Sequence, residues 1–336
     1  MRAMPGPRGP ITELLFERWR REPPTSGAPG PIGEAVEPLY DEDLQLALYC
    51  CYELHYGGLP GVDERWEWNP WLLHLRARLE AALESALVAG VGVPSDSAAP
   101  EEVDVALRAI AEADDGPSLS RYLERHAEFD QMIEFLVHRS AYQLKEADPH
   151  SWALPRLSGP PKAALVEIQA DEYGGGRPER VHATMFARSM EALGLDSDPG
   201  AYLDAIPGIT LATVNLMSML GLHRRRRGAI VGHLALFEMT SSIPNRRYAT
   251  GLRRLGFGEQ ATAFFDEHVE ADAVHENIAA VDLAGGLVRQ DPSLGPVVLW
   301  GARALAALDR MWASHVLDSW RLQRSSLRSP VTELAV

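Results

Sequence analysis

One stretch constrains this chain more than any other. Residues 264–282 contain no glycine or proline and are rich in alanine and glutamate, a composition that predicts an α-helix. With about 100° of rotation per residue, His268, Asp272 and His275 fall within about 60° of one another on one face. Apolar side chains share that face, so it should turn towards a protein core.

Two imidazoles and a carboxylate on a core-facing helix are costly to bury unless something neutralises them. A divalent metal ion is a suitable partner, because imidazole and carboxylate groups both ligate such ions. Two other interpretations fit the motif alone: a solvated acidic helix, or core histidines that hydrogen-bond to each other. The rest of the chain has to decide among them.

The bulk properties exclude several classes of protein. The chain has 336 residues, enough to bury a core in one large domain or two moderate ones. Its net charge of -15 argues against a general nucleic-acid binder and against anionic membrane surfaces. Cys50 and Cys51 are adjacent and are its only cysteines, which excludes a disulfide framework and fits a reducing cytoplasm. There is no signal-peptide pattern and no apolar run of about 18 residues, so we predict a cytoplasmic chain without a membrane span.

Helical periodicity, interrupted by glycine and proline, runs through the whole sequence and predicts an all-α fold. The Pro- and Gly-rich N-terminal arm, residues 1–38, should be loosely ordered or wrap the surface, and the polar C-terminal tail, residues 323–336, should fray. The bundle region should carry the function. The expected divisions are the arm at 1–38, an N-terminal helical region at 39–125, the helical bundle at 126–322 and the tail at 323–336.

Glycine and proline also predict the helix boundaries. Pro244 should separate a helix over 229–241 from one over 246–255, and 199–206 should form a short helix. The other predicted helices are 41–54, 71–89, 101–113, 118–125, 127–147, 162–173, 179–193, 210–221 and 296–322.

Other predicted helices also place ligand-type side chains on their apolar stripes. Glu172, His182 and Glu238 each stand three, four or seven residues from apolar side chains of the same helix. Any one of them alone could be a buried polar side chain that forms a hydrogen bond and binds no metal. Together with the face of 264–282 they make three carboxylates and three imidazoles, which is the ligand set of di-iron and di-manganese helical bundles. The sequence therefore predicts a dinuclear metal site.

Two further carboxylates compete for ligand status. Glu179 stands three residues before His182, a spacing that di-iron bundles use. We prefer Glu172, because Glu179 falls in the first helical turn after Pro178, where acidic side chains are common without a metal. Glu146 is an additional candidate ligand on a mixed helix face, and a salt-bridged surface glutamate is its alternative.

Three motifs together resemble the haem-oxygenase-like di-iron oxidases, the iron-containing redox enzyme group. They are Glu172 followed by three glycines and His182, Glu238 within Leu-Phe-Glu-Met-Thr-Ser, and the run from His268 to His275. The resemblance covers about residues 143–282. It implies a seven-helix haem-oxygenase-like bundle with additional N-terminal helices, two non-haem irons and O2 activation. The spacing is similar to the N-oxygenating branch, where Glu146 would be an extra ligand, and in similar proteins the N-terminal region mainly serves dimerisation.

The resemblance leads to specific expectations. We expect an O2-dependent di-iron oxidoreductase, a monooxygenase or oxidase, that draws on an external electron donor, forms a homodimer and binds neither nucleic acid nor membrane. Its substrate would be a small organic molecule, for example an amine undergoing N-oxygenation. The alternatives are oxidative C–C cleavage of a fatty or amino acid, a haem- or quinone-handling protein on the same fold, and a metal-storage bundle. No catalytic residue is expected beyond the metal ligands, which are Glu172, His182, Glu238, His268, Asp272, His275 and Glu146.

Overall fold

The computed structural model describes residues 3–31, 33 and 35–329, except for the side chains of Asp272 and Ala273. Within these residues the chain forms helices and no β-strand, which confirms the all-α class. A π-helical segment, Ile278–Gly285, directly continues α12. The α-helices are α1 (Pro10–Trp19), α2 (Glu42–Glu53), α3 (Pro70–Val91), α4 (Val103–Glu112), α5 (Leu119–Arg125), α6 (Phe129–Gln143), α7 (Asp148–Ser151), α8 (Gly159–Glu172), α9 (His182–Ala192), α10 (Gly208–Leu222), α11 (Arg227–Arg254), α12 (Glu259–Asn277), α13 (Gly286–Gln290) and α14 (Gly295–Arg321).

Helix α11 is the centre of the bundle and packs against α4, α5, α10, α12 and α14. Two glycines lie where it meets α14. A Cβ on Gly232 would overlap the backbone carbonyl of Val298, and a Cβ on Gly301 would overlap that of Ala229. The two helices therefore touch backbone to backbone, which only residues without a side chain permit.

Gly232→Ala should therefore destabilise the fold, because the added methyl group forces α11 and α14 apart. We expect the free energy of unfolding to fall by about 1 to 3 kcal/mol, the range for overpacked cores. Gly90→Ala is the matched control, since open space surrounds Gly90 near the end of α3 and alanine favours a helix. Urea denaturation compares the two variants, and equal midpoints would contradict this account of the helix contact.

Three predicted helix extents were wrong. The helix expected over 127–147 ends at Gln143, and residues 144–147 form a turn because Ala147 has a positive φ of 77°. Helix α11 runs without a break through Pro244, because neighbouring helices hold it on both sides of the missing hydrogen bond to the carbonyl of Thr240. Residues 199–206 form consecutive turns instead of a helix. Their backbone bonds mostly span three residues, as in Leu203 N–H to the carbonyl of Gly200.

The N-terminal arm is anchored on the surface rather than loosely ordered. It contains α1, whose first N–H groups at Ile11 and Thr12 donate to the Asp43 carboxylate at 2.7 and 2.8 Å. The arm continues around the molecule, where the carbonyl of Pro24 accepts from the side-chain amide of Asn69 at 2.9 Å. Of the two expectations for this arm, wrapping the surface is the one observed.

The polar tail also differs from expectation over its described part. Ser326 and Leu327 are buried, and the Ser326 carbonyl accepts a hydrogen bond from His315 Nε2 at 2.9 Å. The expected fraying was therefore wrong for 323–329, and 330–336 lie outside the described residues.

The N-terminal helices pack onto the bundle: α2 lies against α10, α3 against α14, and α4 and α5 against α11. The proposed divisions at 38, 125 and 322 stay predictions. No described helix combines the length and the apolar character that a membrane crossing requires.

Candidate metal centre

The predicted ligands come from five separate parts of the bundle and meet in its interior. Each of the six described ones is at most 6% exposed, so none is a solvated surface group. The side chain of Asp272 lies outside the description. The six are Glu146 in the turn between α6 and α7, Glu172 at the end of α8, His182 at the start of α9, Glu238 in α11, and His268 and His275 in α12.

These side chains form two adjacent groups of donor atoms. In the first group, Glu146, Glu172, His182 and His268 each offer an atom within 4.8 Å of the others. In the second, Glu172, Glu238 and His275 do the same. Glu172 belongs to both groups. One carboxylate shared by two donor sets is the arrangement that a pair of bridged metal ions requires.

The contacts inside the groups are close but poorly formed as hydrogen bonds. His182 Nδ1 lies 2.9 Å from Glu172 Oε2, yet neither atom forms a hydrogen bond with any described residue. His268 Nε2 is 3.6 Å from Glu146 Oε2, and His275 Nδ1 is 3.4 Å from Glu238 Oε2. Good N–H···O bonds are shorter, about 2.7 to 3.2 Å.

This donor set fits a metal. Buried polar atoms that lack good partners are costly, and a divalent cation bound between them would satisfy them at once. Imidazole and carboxylate ligands without thiolates suit iron or manganese. We therefore regard the two groups as candidate positions for two metal ions.

Glycines after α8 explain why Glu172 and His182 meet. Gly174 has a φ of 69°, and a Cβ there would overlap the backbone of Arg180 and Val181. The chain can thus reverse tightly between α8 and α9 only with glycine at this point. The helix break expected at the three glycines is observed.

Helix α12 orients the ring of His268. Its Nδ1–H donates to the carbonyl of Phe264, one turn earlier, at 2.7 Å. Nε2 then faces the Glu146 carboxylate. A backbone bond that orients the ring in this way is typical of metal-ligating histidines.

Contacts of the neighbouring Lys145 hold the turn that carries Glu146. The neighbouring Lys145 ammonium lies 2.5 Å from Glu53 Oε2 and over the rings of Tyr49 and Tyr56. The next residue, Ala147, has a φ of 77°, which is strained for a residue other than glycine. Glu146 thus projects inward from a rigid turn and not from a helix face, which is why its helical periodicity was mixed.

Burial and neighbouring charges set the protonation states. Burial raises the pKa of Glu238, with the nearby Glu172 carboxylate adding to the shift. Burial alone would also raise the pKa of Glu146, but His268, then His182 and Arg139, outweigh it and lower the pKa. For His275, burial opposes the charged ring, but Glu238 and then Asp171 raise its pKa to about 9.

Binding of Fe(II) should therefore release a proton from His275 near neutral pH. The pKa raised to about 9 keeps the ring charged in the metal-free chain, whereas ligation requires it to be neutral. Apparent Fe(II) affinity should fall as pH drops below about 9, by up to about tenfold per pH unit. Calorimetry in buffers of different ionisation enthalpy measures this proton. Identical proton release in the His275→Ala variant would contradict the assignment.

Sequence reasoning missed several groups around the site. Asp171 lies 3.1 Å from His275 Nε2, a contact no periodicity indicates because Asp171 points off the apolar stripe. His150 Nε2 and His233 Nδ1 lie 3.1 Å apart in the core. Burial lowers the pKa of His150 to about 4 and that of His233 well below its usual value, so both rings are neutral. His233 lies in an apolar run five residues before Glu238, and a histidine in such a run could have been predicted to be buried.

Glu179, the rival of Glu172, lies elsewhere. It is exposed in the short 3-10 turn Pro178–Arg180 and belongs to neither donor group. Its backbone carbonyl accepts a hydrogen bond from Arg188.

A cavity of about 370 Å³ leads from the surface to the donor groups. Residues of α5, α6, α11 and α14 line it, and its inner wall includes Glu146 and His268. This volume is within the range of small-molecule sites, about 300 to 1,000 Å³. A small organic molecule could therefore reach the first donor group.

Comparisons with known proteins agree with this geometry. The sequence model of a family described as "Iron-containing redox enzyme" matches residues 133–310, a range that contains all six described donors. A curated protein, nitrosourea synthase of Streptomyces achromogenes subsp. streptozoticus, is 31% identical over 155 residues. That match covers 46% of this chain and 33% of the relative, so the chain spans about a third of the length of this relative.

Proposed function

This chain belongs to the iron-containing redox enzyme family, and on that premise we propose that it is an O2-dependent di-iron oxidoreductase acting on a small organic substrate. One observation carries the proposal: two buried donor groups share Glu172, and a cavity reaches one of them. A haem protein would need a single proximal histidine and an apolar cavity, not converging carboxylates.

The chain's own residues hold, orient and shield the centre. Glu146, His182 and His268 would hold one ion and Glu238 and His275 the other, with Glu172 between them. Two bound irons would supply the redox chemistry with O2 that side chains cannot. His275 would keep a proton on Nε2 towards Asp171 while Nδ1 faces Glu238, and the burial of all six donors limits their contact with bulk water.

We propose N-oxygenation of an amine as the reaction, with reducing equivalents from an external electron donor. The name nitrosourea synthase denotes a product with oxidised nitrogen, which supports this choice. Because the match covers only part of that relative, the reaction type is carried over as a proposal. Homodimerisation and a cytoplasmic location stay predictions.

Anaerobic loading with Fe(II), followed by O2 and a panel of small amines, tests the function. We expect O2 consumption that depends on the added amine, with transfer of labelled oxygen from 18O2 to the product nitrogen. Iron uptake with O2 consumption that no added substrate changes would instead indicate a storage bundle. A red protein with a Soret band would indicate haem.

A further inference from the structure

A second cavity, of about 330 Å³, reaches the donor groups from another side. The glycine turn after α8 and helix α12 form its walls, and it shares no described lining residue with the 370 Å³ cavity. His182 of the first donor group lies in its wall. Asp171 also lies there and contacts His275 Nε2 of the second group at 3.1 Å. The second cavity therefore approaches both donor groups, whereas the described lining of the larger one includes donors of the first group only.

The wall of this second cavity suits a cation. Asp171, Glu267 and Glu270 contribute carboxylates, and Glu267 pairs with Arg180 at 2.5 Å. Asp171 and Glu270 are exposed, so they lie where the cavity opens to solvent. With Arg177 as the other described guanidinium, three carboxylates and two guanidiniums leave a net negative charge. The described charges of the 370 Å³ cavity, three of each sign, balance.

His182 places a metal donor at the inner end of the second cavity. Its side chain is 2% exposed, and its Nδ1 forms no hydrogen bond with any described residue. A buried ring nitrogen without a partner is costly, and a bound cation would satisfy it. Carboxylates at the outer end and an imidazole at the inner end are both ligands that suit Fe(II). The cavity thus offers such an ion a series of donors from the surface to the centre.

We propose that Fe(II) enters the metal centre through this second cavity, where Asp171 and Glu270 attract the hydrated ion and His182 accepts it from them. Each transfer exchanges a water ligand of the ion for a carboxylate or imidazole donor, and the iron stays Fe(II). Because Asp171 contacts His275, the ion can continue to either donor group. The 370 Å³ cavity is then left to the organic substrate. The inference rests on the proposed function, since the ions that enter are those of the proposed centre.

The rate of Fe(II) uptake tests the inference. Metal-free protein is mixed with Fe(II) in the absence of O2, and ferrozine added after set times measures the ion that is still unbound. Glu270→Gln should slow uptake by about threefold at low ionic strength, the effect of one charge on a divalent ion at roughly 10 Å in water. Arg177→Gln should speed uptake by a similar factor, because it removes a positive charge from the same wall. Both differences should disappear in about 1 M salt, where the screening length is about 3 Å.

Asp114→Asn is the matched control. Asp114 is an exposed carboxylate that lines the 370 Å³ cavity and not the second one, so its variant should take up Fe(II) at the wild-type rate. All three variants change exposed side chains outside the donor groups, and each should bind the wild-type number of Fe(II) ions at equilibrium. Slower uptake in Asp114→Asn, beside wild-type rates in the Glu270 and Arg177 variants, would place the entry in the larger cavity and overturn the inference. Wild-type rates in all three variants would overturn it as well.

The outcomes separate this inference from the proposed function, because uptake is measured without O2 and without substrate. A chain whose uptake rate follows the charges of the second cavity, but which consumes no O2 once loaded, would contradict the function and keep the entry route. A chain that consumes O2 with an amine, but whose uptake rate is the same in every variant, would contradict the inference alone.

Discussion

Glu172→Ala is expected to reduce iron binding to at most one Fe(II) per chain and to abolish substrate-dependent O2 consumption. Glu172 is the only described side chain that belongs to both donor groups, so its loss affects both ions. Iron affinity should fall by more than about 100-fold. Losing a group that only hydrogen-bonds to a metal ligand already costs up to about 100-fold in affinity, and losing the ligand itself should cost more. Anaerobic calorimetry with Fe(II) and an oxygen electrode measure the two effects.

Glu179→Ala is the matched control, because it removes a glutamate seven residues away that is exposed and outside both groups. It should keep wild-type iron binding and O2 consumption, at a stability cost of no more than about 1 kcal/mol, the scale of a lost helix cap. An inactive Glu179→Ala beside an active Glu172→Ala would reverse the ligand assignment and weaken the N-oxygenation proposal with it.

His182→Ala and His275→Ala should each remove a different ion. His182 belongs only to the group with Glu146 and His268, and His275 only to the group with Glu238. Each variant should bind one Fe(II) per chain, and the Mössbauer parameters of the two remaining ions should differ. Neither should consume O2 with substrate, because two-electron chemistry would be left with a single iron.

His126→Ala controls for the loss of a histidine as such, since His126 is exposed at the end of α5 and far from both groups in the chain. It should keep both irons. If the His182 and His275 variants lose both ions together and the control does not, the two groups form one indivisible site. Retention of both ions in either variant would remove that histidine from the ligand set.

Periodicity predicted the parts of the site that lie on regular helices. His268 and His275 share a face of α12, and Glu238 faces the same interior from α11, so spacing alone could place them inward. Helix propensity and the absence of alternating patterns likewise predicted the all-α fold. These inferences depend only on local helix geometry, which follows from the spacing of residues along the chain.

The features that sequence reasoning left open or missed depend on tertiary contacts. Glu146 points inward from a turn that Lys145 and a strained Ala147 hold in place, and no periodic pattern describes such a turn. Pro244 failed to end α11 because packing on both sides outweighs one lost hydrogen bond. Asp171 and Glu270 resemble solvated charges in sequence, and only the fold brings them to one cavity.

The number of Fe(II) ions bound per chain tests the central claim most directly. Metal-free protein should be titrated anaerobically with Fe(II) by calorimetry, and the saturated sample examined by Mössbauer spectroscopy before and after exposure to O2. Two donor groups that share Glu172 predict two Fe(II) per chain and, after oxidation, two magnetically coupled ferric ions. Saturation at one ion per chain, with a spectrum of isolated iron, would contradict the dinuclear account.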